Sequence, residues 1–117
     1  MNIKKFKEVI KRREYIENIS NGEWAEGIQE CYNQEIAILL EDIPSTIDYL
    51  RNECTGDEYV WISEIIDDLA VETNSRELVD CYKKLMTKFP KEWEKYSISG
   101  SARSAEEALS NEDCNEQ

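Results

Sequence analysis

The sequence predicts an all-α fold, an irregular antiparallel bundle of about five to seven helices in which helical hairpins are stacked. Three observations support this prediction. Apolar residues recur at helical spacing along almost the whole chain, no run alternates between apolar and polar residues, and only 4 glycines and 2 prolines interrupt the pattern. The length of 117 residues fits one domain. We therefore expect a single all-helical domain over residues 1–109 and a disordered acidic tail over residues 110–117.

The first two helices are predicted over residues 2–18 and 22–40. Ser20 and Glu23 have the spacing of a capping box, in which each side chain binds a backbone N–H that the helix leaves without a partner. The second helix is apolar on most sides in its C-terminal half, which indicates a central position in the core. Pro44 is expected to end it.

Four further helices follow in the prediction, the second of them with the clearest apolar stripe: 45–53, 57–73, 75–88 and 91–96. Asn74 and Glu77 again have the spacing of a capping box. Residues 97–101 are rich in serine and contain a glycine, so they are predicted to form a loop. One or two final helical turns are expected from Ser104.

Targeting and cofactor signals are absent from the sequence. No apolar run follows the basic first residues, and the longest apolar run, residues 36–40, is much shorter than the roughly 20 residues that span a membrane. We therefore expect a cytoplasmic protein. The 4 cysteines form no Cys-x-x-Cys pair and the chain has no histidine, so no metal site and no cofactor are predicted. Cys31 and Cys81 lie on apolar stripes and are expected to be buried.

The net charge of −12 is unevenly distributed along the chain. Residues 1–13 hold six bases and one acid, residues 14–75 hold one base and sixteen acids, and residues 76–117 hold seven bases and nine acids. The middle segment therefore carries a net −15. Such a field opposes binding to DNA, RNA or anionic lipid and favours a basic protein partner. The basic first helix either pairs with the acidic part of the same molecule or contacts a second partner such as nucleic acid.

An acidic strip on the fourth predicted helix is the strongest candidate for a binding surface. At about 100° per residue, Asp57, Trp61, Glu64 and Asp68 fall on one strip beside the apolar stripe. An indole among carboxylates is typical of a protein-binding hot spot that selects Lys or Arg. The alternative is that Trp61 turns inward at the core edge. Nearby acids complete the candidate set of partner-binding residues: Asp57, Glu58, Trp61, Glu64, Asp67, Asp68, Glu41 and Asp42.

Catalytic motifs are missing. The sequence contains no P-loop, no dinucleotide-binding glycine pattern, no G-x-S-x-G and no calcium loop, and without histidine it lacks the commonest general base. Adjacent acids such as those at positions 67 and 68 point about 100° apart on a helix, so they form no catalytic dyad by themselves. The sequence therefore predicts no enzyme activity.

A segment near the centre resembles a known family. The runs EYVWISEIIDDL (58–69), NSRELV (74–79) and KFPKE (88–92) resemble the helical immunity proteins encoded beside bacterial polymorphic and contact-dependent growth-inhibition toxins. The resemblance spans roughly residues 58–96. It implies tight, stoichiometric binding of one toxin domain, often a basic nuclease, but assigns no catalytic residue because contact residues vary with each toxin.

Two functions are therefore predicted, and both use the acidic surface. The first is an immunity protein that neutralises a cognate toxin domain by covering its active site or substrate-binding surface. The alternative is a regulatory adaptor or nucleic-acid mimic that occupies a basic site on another protein. Neither involves a membrane or direct contact with nucleic acid.

Overall fold

The computed structural model describes residues 2–20, 23 and 25–115, with side chains as far as Leu109. Over these residues the fold is all-α, as predicted, but it has eight α-helices instead of about five to seven, together with a short 3-10 turn and no strand. The α-helices are α1 (Ile3–Ser20), α2 (Ala25–Leu40), α3 (Ile43–Asn52), α4 (Gly56–Ser63), α5 (Ile66–Thr73), α6 (Arg76–Lys84), α7 (Pro90–Lys95) and α8 (Ile98–Asn115). The 3-10 turn, Leu85–Thr87, follows α6 directly.

The chain divides into two compact units, Met1–Ile43 and Pro44–Gln117. The single domain predicted over residues 1–109 and the disordered tail predicted over residues 110–117 stay predictions. None of the helices in the described part of the chain combines the length and the apolar character needed to cross a membrane.

The first unit is a pair of packed helices, α1 and α2. Phe6 and Ile10 of α1 and Cys31 of α2 are buried, since they lie on the apolar stripes that the sequence shows. Helix α1 extends to Ser20, whose hydroxyl donates a hydrogen bond to the carbonyl of Ile16 at 2.6 Å. The prediction that Ser20 caps the second helix is therefore wrong, because this side chain closes the first helix instead.

The second unit is organised around α8, which packs against α4, α5, α6 and α7. Ile98, Ala102, Ala105 and Leu109 are buried at spacings of four, three and four residues, which is the pattern of a helix with one apolar stripe. The predicted loop over residues 97–101 is therefore wrong after its first residue. Serine and glycine suggested a turn, but burial of this stripe outweighs their weak helix propensity.

The fourth predicted helix is broken in the structure. Helix α4 ends at Ser63 and α5 begins at Ile66. The N–H groups of Glu64 and Ile65 bind carbonyls three residues earlier, at 3.3 and 3.0 Å, which tightens the last turn of α4. At Ile65 the backbone (φ −124°, ψ 1°) leaves the helical region, so the chain changes direction there.

Helix starts in the second unit follow local capping chemistry. The hydroxyl of Ser75 accepts a hydrogen bond from Leu78 N–H at 3.2 Å and begins α6. The predicted cap at Asn74 is one residue early, because Asn74 has a left-handed backbone (φ 47°) and ends α5. Pro44 lies near the start of α3 and does not end α2, which already stops at Leu40.

Candidate functional site

The eight predicted binding residues occupy three kinds of environment. Glu58 is buried and Trp61 is half-buried. The other six are exposed acids: Glu41, Asp42, Asp57, Glu64, Asp67 and Asp68. Because α4 ends at Ser63, Asp57 and Asp68 lie on different helices, and the prediction of one continuous strip is wrong.

Glu58 belongs to the interior and not to a binding surface. Its backbone N–H donates to the Thr55 hydroxyl at 3.2 Å, and its carboxylate accepts from the Thr55 N–H at 3.2 Å, so the two residues form a capping box at the start of α4. The same carboxylate accepts a hydrogen bond from the Tyr49 hydroxyl at 2.6 Å. Only 6 % of Glu58 is exposed, so its place among the partner-binding residues is corrected.

The hydroxyl of Tyr49 is held in its protonated form beside Glu58. Burial raises the pKa of Tyr49 above its usual value, and nearby Cys54 and the hydrogen bond with Glu58 act in the same direction. A protonated phenol is the donor that a buried carboxylate needs. The contact therefore joins α3 to the start of α4.

Glu64 and Asp67 come together in one groove, which we call the acidic groove. Its volume is about 510 Å³, and the residues lining it lie at the α4–α5 turn and the start of α8: Ser63, Glu64, Asp67, Ser97, Gly100, Ser101 and Ser104. The break between α4 and α5 places the two acids in this groove beside serine hydroxyls. Carboxylates and hydroxyls are acceptors for the N–H groups of Lys and Arg.

Asp67 of the acidic groove has two acidic neighbours on α5, Asp68 and Glu72, which are not among the residues that line the groove. The side chain of Asp67 accepts a hydrogen bond from the backbone N–H of Asp68 at 3.0 Å, in the first turn of α5. Partial burial raises the pKa of Asp68, and the negative charges of Asp67 and Glu72 raise it further. The ionised form of Asp68 is therefore disfavoured mainly by burial and further by its acidic neighbours.

Trp61 is half-buried and its indole nitrogen is inaccessible to solvent. It is not among the residues that line the acidic groove. The structure therefore favours the alternative that this indole turns inward at the edge of the core. Glu41 and Asp42 are exposed just after α2, and their contribution to the same binding surface stays a prediction.

The basic first helix is partly engaged within its own unit. Arg13 is buried, and its guanidinium donates to Glu17 at 3.1 Å and to the Tyr32 hydroxyl at 2.7 Å while it lies 4.1 Å from the centre of the Tyr32 ring. Arg12 donates to Gln34 at 2.9 Å. These two arginines therefore connect α1 to α2 through the neutral side chains of Gln34 and Tyr32, and pairing of the basic helix with the acidic part of the molecule stays a prediction.

Cysteines form two kinds of site in proteins, a metal site and a reactive thiol. The described residues contain no group of three or more histidine, cysteine, aspartate or glutamate side chains arranged to hold a metal ion. Cys31, Cys54 and Cys81 are free thiols in buried positions, as expected for Cys31 and Cys81. Burial raises the pKa of both Cys31 and Cys81, which keeps these thiols in the less reactive protonated form.

Two features of the site escaped the sequence reasoning. The Thr55–Glu58 capping box has the spacing of the Ser/Thr-x-x-Glu pattern and was detectable from sequence. Ser99 and Ser101 lie in the predicted loop, whereas the apolar spacing from Ile98 to Leu109 indicates the helix that carries them and Ser104.

Comparisons of this chain with protein-family models, with curated proteins and with solved structures find no match.

Proposed function

We propose that this chain is a cytoplasmic immunity protein that binds and neutralises one cognate bacterial toxin domain, of the helical type found beside polymorphic and contact-dependent growth-inhibition toxins. The toxin domain is basic, a nuclease in the simplest case, and the chain covers its active site or substrate-binding surface. The observation that carries the proposal is the acidic groove, in which Glu64 and Asp67 lie beside the hydroxyl-bearing start of α8.

The groove suits a Lys or Arg side chain presented by a protein. A guanidinium or ammonium donates to carboxylate and hydroxyl oxygens at once, and a bidentate contact adds geometric specificity. Asp68, which follows Asp67 in the first turn of α5, adds negative charge near the groove and so favours a cationic partner. The net charge of −12 favours rapid encounter with a basic surface.

Binding alone accounts for the proposed activity, which requires no cofactor, metal or catalytic residue. Acids placed against a nuclease occupy the positions of substrate phosphates, so inhibition follows from occupancy. We further propose that the short connections arrange the helices as an antiparallel bundle that holds the groove rigid.

Co-expression with the product of the adjacent gene tests the function. This chain is expected to restore growth when that product is toxic, and to form a one-to-one complex with it. A neighbour that is not toxic, or that stays toxic beside this chain, refutes the proposal. Capture of a different protein through its basic site would instead support the adaptor or nucleic-acid mimic.

Charge reversal tests the groove. The double variant Glu64→Lys, Asp67→Lys should bind the toxin at least about 100-fold more weakly, because close charge pairs across an interface each contribute roughly 1.5 kcal/mol or more. Its affinity should also depend less on salt. The matched control, Glu53→Lys with Glu94→Lys, reverses two exposed acids outside the groove and should bind nearly as the native chain does. Equal losses in both variants would show a general charge effect and remove the groove from the proposal.

A further inference from the structure

A second cavity, opposite in character to the acidic groove, lies on α6. Its volume is about 560 Å³, within the range of roughly 300–1,000 Å³ typical of small-molecule sites. Four cations surround it: Arg51, Arg76, Lys84 and Lys88. We call it the basic cavity. The toxin-binding proposal does not use it.

The basic cavity combines an apolar floor with a charged rim. Cys81 and Leu85 are among its lining residues, and both are buried. Arg76, Asp80 and Lys84 follow one another at intervals of four residues on α6, so their side chains lie on one side of the helix. The rim can therefore bind the charged group of a ligand, and the floor can contact its apolar part.

Helix α3 contributes one residue, Arg51, to the lining of the basic cavity. The Cys81 thiol donates to the carbonyl of Ile47 at 3.7 Å, which connects α6 to α3. Burial raises the pKa of the Cys81 thiol, and the positive charge of Arg51, in the last turn of α3, opposes this effect. Arg51 therefore comes from a different helix than the other three cations, which lie on α6 and shortly after it.

The charge pattern narrows the class of ligand. Two carboxylates, Glu77 and Asp80, share the rim with the four cations. These acids, together with the net charge of −12, oppose a polyanion such as nucleic acid. An uncharged apolar molecule would make no charge interaction with the rim, and a small inorganic anion would not contact the apolar floor.

We propose that the basic cavity is a binding site for a small organic anion, in which a carboxylate or phosphate group is attached to an apolar body. The acidic group binds between Arg51 and Lys84, and the apolar body rests on Cys81 and Leu85. Binding of this kind is expected to weaken with salt, because the rim is open to solvent.

The test titrates the whole chain with four probes and follows the backbone amide resonances of α6 by NMR. The probes are 3-phenylpropionate, phenyl phosphate, phenethylamine and inorganic phosphate. The two aromatic anions should cause saturable shifts at the amides of α6, while phenethylamine and inorganic phosphate should bind at least about tenfold more weakly. Absence of saturable binding by both aromatic anions at millimolar concentration, or equal binding by phenethylamine, overturns the proposal.

Variants locate the site. Arg51→Gln and Lys84→Gln should each weaken binding of the aromatic anions by about fivefold, the size of a solvent-exposed ion pair. Lys91→Gln removes an exposed cation outside the cavity and should leave affinity unchanged. The single variants are compared only at matched helical content, so loss of fold is not mistaken for loss of binding. Unchanged affinity in both Arg51→Gln and Lys84→Gln would overturn the assignment. No toxin is present in this assay, so its result is independent of the toxin-binding proposal.

Discussion

Replacement of Glu58 by alanine is expected to destabilise the protein rather than to impair partner binding directly. Glu58 is a charged residue within an acid-rich stretch, yet 6 % of it is exposed. Alanine removes the hydrogen bond from Tyr49 at 2.6 Å and the bond from the Thr55 N–H at 3.2 Å. Both donors lie at or before the start of α4, so the variant loosens the connection between α3 and α4.

The magnitude follows from these contacts. A hydrogen bond to a charged group contributes about 1.5–3 kcal/mol, and loss of a helix cap costs about 0.5–2 kcal/mol. We therefore expect the free energy of unfolding to fall by about 3 kcal/mol, a large part of the roughly 5–15 kcal/mol typical of a small domain. A loss of this size lowers the melting temperature by about 10 °C in a chain of this length.

Urea unfolding followed by circular dichroism measures this change. Asp57→Ala is the matched control, because Asp57 is the preceding residue but is exposed in the first turn of α4. It should cost no more than about 1 kcal/mol, the usual contribution of a charge to the helix dipole. Glu58→Gln retains an acceptor for Tyr49 and should fall between the two. Equal stability of Glu58→Ala and Asp57→Ala would refute the capping and burial argument for Glu58.

Three further predictions concern the second unit. Trp61→Ala should lower the free energy of unfolding by about 2 kcal/mol, because truncation of a half-buried indole costs less than the roughly 3–5 kcal/mol lost at a fully buried one. Chemical denaturation measures this change. A loss of toxin affinity at unchanged stability would instead identify Trp61 as a binding hot spot. Asp68→Asn should raise the melting temperature at pH 7, because the pKa of Asp68 is raised in the folded state by burial and by the charges of Asp67 and Glu72. A carboxyl whose pKa is higher in the folded than in the unfolded state makes the native protein less stable as pH rises above its unfolded pKa. The higher melting temperature of Asp68→Asn should therefore disappear below about pH 4, the unfolded pKa of aspartate, in a melting series. A stabilisation that does not change with pH would contradict this prediction. Asn74→Ala should destabilise by about 1 kcal/mol, because Asn74 has φ 47°, whereas Asn74→Gly should not; thermal melts that rank the two variants in the reverse order would contradict the strain argument.

Much of the helical pattern was predictable because it depends on near neighbours in the chain. The end of α2 at Leu40 follows from the extent of its apolar spacing, and the start of α7 at Pro90 follows from the preference of proline for the first helical turn. The break between α4 and α5 was not predictable in this way. Ile62, Ile65, Ile66 and Leu69 fit the apolar stripe of one continuous helix, and in the structure all four are buried although the helix is interrupted.

The same distinction between local and tertiary effects applies to the acids of the candidate site. Exposure of Asp57, Glu64 and Asp67 was expected from their charge alone, since isolated carboxylates are costly to bury. Burial of Glu58 depends on Tyr49, which lies nine residues earlier on another helix. A hydrogen bond between helices leaves no periodic signal in the sequence, so this residue was placed in the wrong environment.

The amino-acid sequence by itself determined that the chain is helical, that its middle is strongly acidic and that it lacks histidine, because composition and local spacing suffice for these properties. The tertiary structure alone decided which acids share a groove, which acid is buried and where a basic cavity forms. Those outcomes depend on the contacts of α3 with α4 and with α6 and on the turn between α4 and α5, which bring together residues that are distant in the sequence.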